Sequence, residues 1–246
     1  MKAIIIIPSR MESTRLVGKP MIKIDGIPMI QRVWTQAINS KIGDVYVACA
    51  EKVVYDLITT LGGNAILTDP KIPTGTDRIF EAFLKIKNLN EFDHIINLQG
   101  DMPLIQPETI KKVLYPLKNN YSIGTLATSL NSKEFQNPNV TKVEVEWINN
   151  NNNNGRAKNF FRLNNSLSHQ IFHHVGIYSF TISSLEKFVN LPKSKNEIIH
   201  NLEQFRALDS GITIGISYVP NIPISIDTKE DLISAENIIR QKNEKN

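Results

Sequence analysis

Three cations stand close together in the stretch PSRMESTRLVGKP, residues 8–20, directly after an apolar run at the N-terminus. They are Arg10, Arg15 and Lys19, and Glu12 is the one acid among them. Successive backbone N–H groups form concavities that favour phosphate, and Gly18 lets a ligand approach the backbone closely. The stretch therefore predicts a loop that binds an anion such as a triphosphate, with a solvated basic loop as the alternative.

Known nucleotide-binding patterns do not explain this loop. It lacks the G-x-x-x-x-G-K-[ST] pattern of the Walker A loop, and it also lacks the G-x-G-x-x-G pattern of dinucleotide-binding folds. In open α/β sheets, ligands bind beyond the carboxyl ends of the strands. A loop that leaves the first strand would lie at that edge.

Asp101 could hold a divalent cation. Asp101 follows the apolar segment HIINLQG and stands behind Gly100, where another backbone or a ligand can come close. Mg²⁺ usually takes only one or two protein carboxylates, with water and phosphate oxygens completing its shell. In the alternative interpretation, Asp101 sits in a turn before Pro103. For Asp227, the local pattern favours a helix cap with Glu230 as its reciprocal partner.

The segment TGTDR, residues 74–78, offers hydroxyl groups and a glycine at the expected start of a helix. Hydroxyls and free amides at such a position favour an anion or a nucleobase edge. In the alternative interpretation, Thr74 or Thr76 caps the helix and Arg78 pairs with an acid at the surface.

Histidine and cysteine give no metal site. His173 and His174 are adjacent, so in a strand they point to opposite faces and cannot chelate one ion together. Cys49 is the only cysteine, which excludes an internal disulfide and a thiolate-rich zinc site.

The elements that must position these residues follow an α/β pattern. Apolar segments of strand length, at 3–9, 44–50, 64–68 and 94–100, alternate with helical periodicities at about 28–40, 51–61, 77–88 and 107–118. Continuous apolar strands, each followed by a helix, predict a doubly wound α/β fold with a mixed but mostly parallel sheet. Gly62 and Gly63 should end the second helix, and Pro107 should start the fourth.

The pattern becomes richer in strands after about residue 120. Strands are expected at 122–130, 140–148, 156–162, 174–180 and 212–219, and helices at about 182–190, at 196–208 and from about 228. The asparagine run at 149–155 predicts a polar hairpin connection. We expect one mixed-sheet domain over residues 1–246, with a β-rich flap or dimerisation section at about 120–180.

Composition limits the function classes. The net charge is +4 and the isoelectric point is near 9.0, but the basic residues are scattered. Nucleic-acid binding normally shows a concentrated basic stripe or a recognisable module, so a small anionic ligand is preferred and no nucleic-acid partner is expected. No apolar run reaches the roughly 18–20 residues that cross a bilayer, so no membrane partner is expected. The short apolar start followed by Pro8 predicts a mature cytoplasmic protein.

Seven motifs, in the same order along the chain, resemble those of the 3-deoxy-manno-octulosonate (Kdo) cytidylyltransferases, also called CMP-Kdo synthetases. The first is R-x-x-S-x-R-x-x-x-K-P, present as Arg10, Ser13, Arg15, Lys19 and Pro20. The others are TGTDR (74–78), NLQGDMPLI (97–105), NPNVTKV (137–143), HHVGIYSF (173–180), LEQFRAL (202–208) and SIDTKEDL (225–232).

The resemblance implies a fold like that of nucleotide-diphospho-sugar transferases, with residues 1–246 forming a single nucleotidyltransferase domain. It also implies the reaction CTP + Kdo → CMP-Kdo + pyrophosphate for lipopolysaccharide biosynthesis, in a homodimer that uses Mg²⁺. It makes Asp101 and Asp227 the metal ligands and, with Arg10 and Lys19, the catalytic groups. The implied nucleotide-binding residues are Arg10, Ser13, Arg15, Lys19, Thr74, Gly75, Thr76 and Gln99. The implied sugar-binding residues are Arg78, Gln99, Arg162, His174, Tyr178, Glu203 and Gln204.

The chain departs from the family pattern in three places. Met102 replaces the acid that usually follows the magnesium Asp, Phe161 replaces a serine, and LNNSL (163–167) replaces A-T-I-P-W. Two other activities therefore stay open: a related nucleotidyltransferase for sialic acid or an 8-amino analogue of Kdo, and a non-catalytic nucleotide-binding relative.

Overall fold

The computed structural model describes residues 2–12, 16–148, 154–163 and 170–243. In chain order, its elements are β1 (Ala3–Ser9), β2 (Lys23–Ile24), β3 (Ile27–Pro28), α1 (Met29–Asn39), β4 (Val45–Cys49), α2 (Lys52–Thr60), β5 (Asn64–Leu67), α3 (Gly75–Leu84), β6 (His94–Asn97), α4 (Pro107–Lys112), α5 (Tyr115–Lys118), β7 (Ile123–Thr128), α6 (Ser132–Phe135), β8 (Lys142–Trp147), β9 (Gly155–Phe161), β10 (Ile171–Thr181), α7 (Ile182–Asn190), α8 (Lys195–His200), α9 (Phe205–Asp209), β11 (Ile214–Tyr218) and α10 (Lys229–Asn243). Short 3₁₀ helices lie at Lys19–Met21 and Leu89–Glu91.

The chain forms two compact units. The first contains Met1–Ile110 and Pro223–Asn246, and the second contains Lys111–Ile222. Compactness alone does not make a unit an independently folding domain, so the expectation of one nucleotidyltransferase domain stays a prediction.

The first unit has a parallel sheet in the order β5-β4-β1-β6. Every residue of β1 except Pro8 is buried, as expected for a strand that is covered on both faces. The four predicted strands and their parallel arrangement are therefore confirmed in this unit. Their carboxyl ends, at Ser9, Cys49, Leu67 and Asn97, lie at one edge of the sheet.

The glycine pair after α2 ends that helix as predicted. Gly62 has a φ of 78°, and its N–H donates to the carbonyl of Thr59. The N–H of Gly63 reaches back to the carbonyl of Ile58 at 2.9 Å. These are the two hydrogen bonds of a Schellman motif, in which the residue with positive φ is favourable as glycine.

The second unit has a mixed sheet in the order β10-β7-β11-β9-β8, and β8 also pairs with β10. Strands β7 and β11 are parallel, whereas the other pairings between these five strands are antiparallel. The prediction of mostly parallel pairing therefore holds for the first unit and not for the second.

Two predicted helices are each split in the structure. The helix expected at 107–118 forms as α4 and α5, because Pro116 has no N–H to donate and its ring clashes with the preceding turn of a continuous helix. The helix expected at 196–208 forms as α8 and α9, because Asn201 adopts a φ of 51° and ends α8.

Several predictions fall on residues outside the described ranges. They concern the polar connection at 149–153 and most of the LNNSL segment, residues 164–167. Among the described residues, no helix is both long and apolar enough to span a bilayer.

Candidate functional site

A cleft of about 1110 Å³ lies in the first unit where β1 and β6 end. Residues of the segments 8–12, 17–20, 73–75 and 99–101 line it, together with Arg78 and Asp227. The carboxyl edge of the parallel sheet therefore carries a cavity, as expected for an open α/β sheet.

Lys19 joins the two predicted metal ligands inside this cleft. Its Nζ donates to Asp101 Oδ2 at 2.8 Å and to Asp227 Oδ1 at 2.9 Å. The lysine side chain is 14% exposed, and the two carboxylates are 26% and 41% exposed. Two acids that are 126 residues apart in the sequence thus meet at one ammonium group.

The backbone brings Asp227 to this position. The N–H of Ile226 donates to the carbonyl of Asp101 at 2.9 Å, which fixes the two segments next to each other. Ile226 is fully buried in an apolar cluster with Leu16, Met29 and Ala235. The position of Asp227 therefore depends on main-chain bonding and packing as well as on its own carboxylate.

The interpretation of Asp227 as a helix cap is wrong. Helix α10 begins at Lys229 and its cap lies one residue after Asp227, where Thr228 Oγ1 accepts from the N–H of Asp231 at 3.2 Å. Asp231 Oδ2 accepts in return from the N–H of Thr228 at 2.8 Å and from the N–H of Asp227 at 3.0 Å. Thr228 and Asp231 thus form the reciprocal cap, and the Asp227 carboxylate is directed to Lys19.

The charge environment keeps Lys19 protonated. Burial acts to lower the pKa of its ammonium, but attraction to Asp101 and hydrogen bonds to Asp101 and Asp227 outweigh burial, so the pKa is raised. Lys19 therefore carries a full positive charge at neutral pH.

Three contacts hold the loop after β1. Gly18, with a φ of 69°, donates its N–H to the carbonyl of Met11, which closes the loop at its base. Glu51 Oε2 accepts from the N–H of Met11 at 3.0 Å, and Arg10 Nη1 donates to the carbonyl of Pro73 at 3.3 Å. Arg10 lines the cleft as expected, whereas Ser13 and Arg15 lie outside the described residues.

The segment 74–78 begins α3 with a threonine cap. Thr74 Oγ1 accepts from the N–H of Asp77, so the capping interpretation of Thr74 is confirmed. Thr74 and Gly75 also line the cleft. Thr76 is 3% exposed, and its hydroxyl accepts from Asn97 Nδ2 at 3.2 Å instead of facing the cavity.

Asn97 links this segment to the end of β6. Gln99 Nε2 donates to Asn97 Oδ1 at 3.0 Å, and Asn97 donates in turn to Thr76. Gln99 lines the cleft, so the chain of hydrogen bonds fixes a side chain that a ligand can contact. Sequence reasoning included Asn97 in a motif but gave it no role, although its place two residues before Gln99 was a usable signal.

Arg78 lines the cleft and also holds a turn. It is only 1% exposed, and it donates to Thr68 Oγ1 at 2.6 Å and to the carbonyls of Asp69, Pro70 and Ile72. Its guanidinium thus fixes the turn 68–72, and the alternative interpretation of Arg78 as a surface ion-pair partner is wrong. Its role as a sugar contact stays a prediction.

Gly100 and Met102 flank Asp101 in different ways. A Cβ on Gly100 would lie 2.9 Å from the carbonyl oxygen of Pro8, so the close backbone approach expected at this glycine is confirmed. Met102 is 5% exposed and packs in the interior. Its side chain therefore belongs to the core and takes no place on the cleft wall.

In the second unit, His174 and Tyr178 lie together on β10, as predicted. Their ring centroids are 5.5 Å apart, and His174 Nε2 is 3.0 Å from Thr125 Oγ1. Burial, with a smaller effect of the charge on His173, lowers the pKa of His174 to about 3, so the imidazole is neutral. Burial and the nearby Glu203 raise the pKa of Tyr178, so its hydroxyl stays protonated.

A buried ion pair supports the segment that carries Glu203 and Gln204. Arg206 Nε and Nη2 donate to the two carboxylate oxygens of Glu197 at 2.9 and 2.7 Å. The guanidinium also lies 4.7 Å from the ring centroid of Phe188. Gln204 is 7% exposed, whereas the Glu203 side chain is 31% exposed, so Glu203 is the more accessible of the two predicted sugar contacts.

Arg162 lies next to a buried lysine that sequence reasoning did not select. Arg162 Nη1 donates to the carbonyl of Pro138 at 3.3 Å. Lys142 is fully buried and donates to the carbonyls of Asn137 at 2.6 Å and Arg162 at 2.5 Å. Lys142 thus fixes the backbone of the predicted sugar contact. No signal of its burial was present in the sequence, because Lys142 belongs to the alternating charged positions of KVEVEW.

The chemistry of the Lys19 cluster fits a magnesium ion. Two carboxylates with partly exposed oxygens face one cleft, and Mg²⁺ usually takes only one or two protein carboxylates. The described residues contain no group of three or more His, Cys, Asp or Glu side chains suited to a metal. A cation held here would therefore need oxygens from water or substrate.

Comparisons with known proteins agree with this geometry. The cytidylyltransferase family model matches residues 4–214. The 3-deoxy-manno-octulosonate cytidylyltransferase of Paramagnetospirillum magneticum is 40% identical, and the match covers 96% of this chain and 97% of that protein. The enzyme of the same name from Rickettsia typhi is 41% identical, with the same two coverages.

Solved structures give the same assignment. A CMP-2-keto-3-deoxy-manno-octonic acid synthetase in complex with CTP superposes with a TM-score of 0.88 at 31% identity, covering 98% of this chain and all of the other. A 4-diphosphocytidyl-2C-methyl-D-erythritol synthase from Anaerococcus prevotii, at 14% identity and a TM-score of 0.64, shares the mixed α/β fold and covers 97% of this chain and 98% of its own. The chain belongs to the 3-deoxy-manno-octulosonate cytidylyltransferase family.

Proposed function

We propose that this protein transfers the cytidylyl group of CTP to Kdo, releasing pyrophosphate and forming CMP-Kdo for lipopolysaccharide biosynthesis. The observation that carries the proposal is the meeting of Lys19, Asp101 and Asp227 in a cleft beside the loop after β1. Attack of a sugar hydroxyl on a phosphoryl group that already carries negative charge requires cations and positioned acids, and this cluster supplies both.

The cationic residues act on the triphosphate in this proposal. Arg10 and Lys19 line the same cleft, so they can bind the phosphates and steady the pyrophosphate as it leaves. Arg15 and Ser13, in the same loop, would add contacts to the phosphates. Glu51 holds the N–H of Met11 and thereby keeps the loop in place. Such a site works by positioning and by electrostatic stabilisation and needs no covalent nucleophile.

Asp101 and Asp227 would hold magnesium. When bound, Mg²⁺ neutralises phosphate oxygens and lowers the pKa of a coordinated hydroxyl. The two residues serve this role because the backbone bond between Ile226 and Asp101 keeps their carboxylates close to each other. Met102 is buried away from the cleft wall, so replacement of the usual acid at this position removes no charge from the cleft. This supports an active enzyme over a non-catalytic relative.

The nucleobase would lie against Thr74, Gly75 and Gln99. The first two residues are at the start of α3, and Gln99 is oriented by Asn97. Thr76 supports this surface from beneath through the same asparagine. Because backbone groups and an oriented amide can read the edge of a base, this part of the cleft would select cytosine.

Residues of the second unit would recognise the sugar acid. Arg162 offers a guanidinium to a sugar carboxylate, which it can bind through two parallel hydrogen bonds. His174, held neutral, and Tyr178, held protonated, offer hydrogen bonds without a net charge. Glu203 can accept from sugar hydroxyls, and Gln204 offers an amide that can both donate to and accept from them.

An assay of pyrophosphate release tests this function. We expect release from CTP only when both Kdo and Mg²⁺ are present. Release with sialic acid or the 8-amino analogue in place of Kdo would assign the related activity. Nucleotide binding without turnover of any acidic sugar would instead identify a non-catalytic relative.

We also propose a cytoplasmic homodimer, one doubly wound nucleotidyltransferase domain, and a flap or dimerisation role for residues 120–180. Strands β7 to β10 lie at about residues 120–180, which gives this section the strand-rich character expected of it. Light scattering of the purified protein should give twice the 27.8 kDa mass of one chain. A monomer at all protein concentrations would contradict the dimer.

A further inference from the structure

We propose that Lys19 is a built-in counter-ion for Asp101 and Asp227, which it holds in place of a divalent cation until a nucleotide phosphate draws its ammonium away. The inference rests on the magnesium role proposed above for the two acids. It adds that cation binding is suppressed in the nucleotide-free protein, so the nucleotide must arrive before the acids can take the metal.

The positions of three atoms carry this proposal. A single amine nitrogen lies 2.8 Å from an oxygen of Asp101 and 2.9 Å from an oxygen of Asp227. Magnesium binds its oxygen ligands at about 2.0–2.1 Å, so an ion shared by these two oxygens would occupy the volume between them. The ammonium of Lys19 is already there and carries the same sign of charge. Ammonium and metal therefore exclude each other.

The acids would remain close together without the lysine. The backbone bond from Ile226 to Asp101 does not involve Lys19, and Ile226 is fully buried. Removal of the ammonium would thus leave two neighbouring carboxylates on a fixed backbone. Such a pair attracts a divalent cation more strongly than the neutralised pair does.

The cleft also offers Lys19 an alternative partner. The lysine lines the same cavity as Arg10, beside the loop that would take the triphosphate. Its ammonium ends a flexible four-carbon stem, so it can turn from the acids to a phosphate oxygen. Because linkage is reciprocal, whatever favours the lysine–phosphate contact also favours metal binding at the acids.

Direct binding of Mn²⁺ to the nucleotide-free protein tests the inference, with free Mn²⁺ measured by electron paramagnetic resonance. We expect Lys19→Gln to bind Mn²⁺ about 5- to 150-fold more tightly than the unmodified protein, the usual range for two ligands coupled through one group. The matched control is Lys23→Gln, which removes the same charge from an exposed position of the same unit and should change affinity less than about twofold. Lys19→Gln/Asp101→Asn should lose the gain.

Three outcomes would overturn the inference. Equal or weaker Mn²⁺ binding by Lys19→Gln would show that the lysine does not compete with the cation. An equal gain in Lys23→Gln would assign the effect to net charge. A gain that survives in the double variant would place the ion elsewhere. All three leave the proposed reaction intact, since that depends on pyrophosphate release from CTP and Kdo.

Discussion

The buried pair of Glu197 and Arg206 should be one of the most sensitive points of the second unit. Their side chains are 7% and 3% exposed and share two hydrogen bonds, at 2.7 and 2.9 Å. Arg206→Met removes the cation and leaves the Glu197 carboxylate in a site that water barely reaches. The helix that carries Arg206 begins directly after the predicted sugar contacts Glu203 and Gln204, so the pair also fixes the end of that segment.

The expected cost follows from burial. Removal of one partner of a buried ion pair typically destabilises a protein by about 3–5 kcal/mol, because the remaining charge stays desolvated. For a chain of this length, each kcal/mol lowers the melting temperature by about 2–4 °C, which gives a fall of roughly 6–20 °C. Glu197→Met should cost somewhat less, because Glu203 Oε1 lies 3.7 Å from Arg206 Nη2 and offers a second carboxylate.

Thermal unfolding followed by circular dichroism measures this cost. The matched control is Lys52→Met, which breaks an exposed i,i+4 pair with Asp56 and should cost less than about 1 kcal/mol. The double variant Glu197→Met/Arg206→Met should be more stable than Arg206→Met alone, since it leaves neither charge buried. If Arg206→Met lowers the melting temperature no more than the control does, or if the two single costs simply add, the reasoning from desolvation is refuted.

Three further predictions concern the site and its supports. Asp101→Asn and Asp227→Asn should each reduce pyrophosphate release by orders of magnitude with an unchanged circular dichroism spectrum, and a near-normal rate would remove that residue from the metal role. Because the pKa of His174 is lowered to about 3 in the folded protein, the unfolded chain binds the extra proton first as pH falls, so stability should decline from about pH 6.5 towards pH 3 by up to about 1.4 kcal/mol per unit. Urea titrations should show a shallower decline for His174→Gln, and the same decline as the unmodified protein for His200→Gln, which alters an exposed histidine of the same unit. Thr228→Ala should destabilise α10 by about 0.5–2 kcal/mol through loss of its cap, again measured in urea, and an unchanged midpoint would contradict the capping assignment.

Much of the first unit could be predicted from local sequence. The apolar run that forms β1 is buried on both faces, and such runs are distinctive because a strand covered on one face alternates instead. The hairpin of β2 and β3 was missed although its signal is present: Asp25 and Gly26, with φ of 48° and 78°, form the two-residue turn that an Asp-Gly pair favours. The predicted helix boundaries were wrong where a single residue, Pro116 or Asn201, interrupts a helix that the apolar periodicity predicts to continue.

The candidate site depended on a different kind of information. Spacing alone gave no reason for Asp101 and Asp227 to meet, and the local pattern around Asp227 favoured a cap. The resemblance to a family selected both residues. The prediction of the cap from local sequence was wrong by one position. Thr228 and Asp231 cap the first N–H groups of α10, so the Asp227 carboxylate can bind Lys19 instead.

Arg78 has a structural role that the family motif did not indicate. The resemblance selected it as a sugar contact, and it does border the cleft, but its guanidinium donates to the hydroxyl of Thr68 and to three carbonyls of the turn that follows β5. A buried arginine must satisfy its donors, and carbonyl oxygens of a turn do so without a second buried charge. The same turn leads into Pro73, whose carbonyl accepts from Arg10. Arg78 therefore fixes the backbone that borders the ligand cleft, and this supporting role follows from its burial and not from the motif.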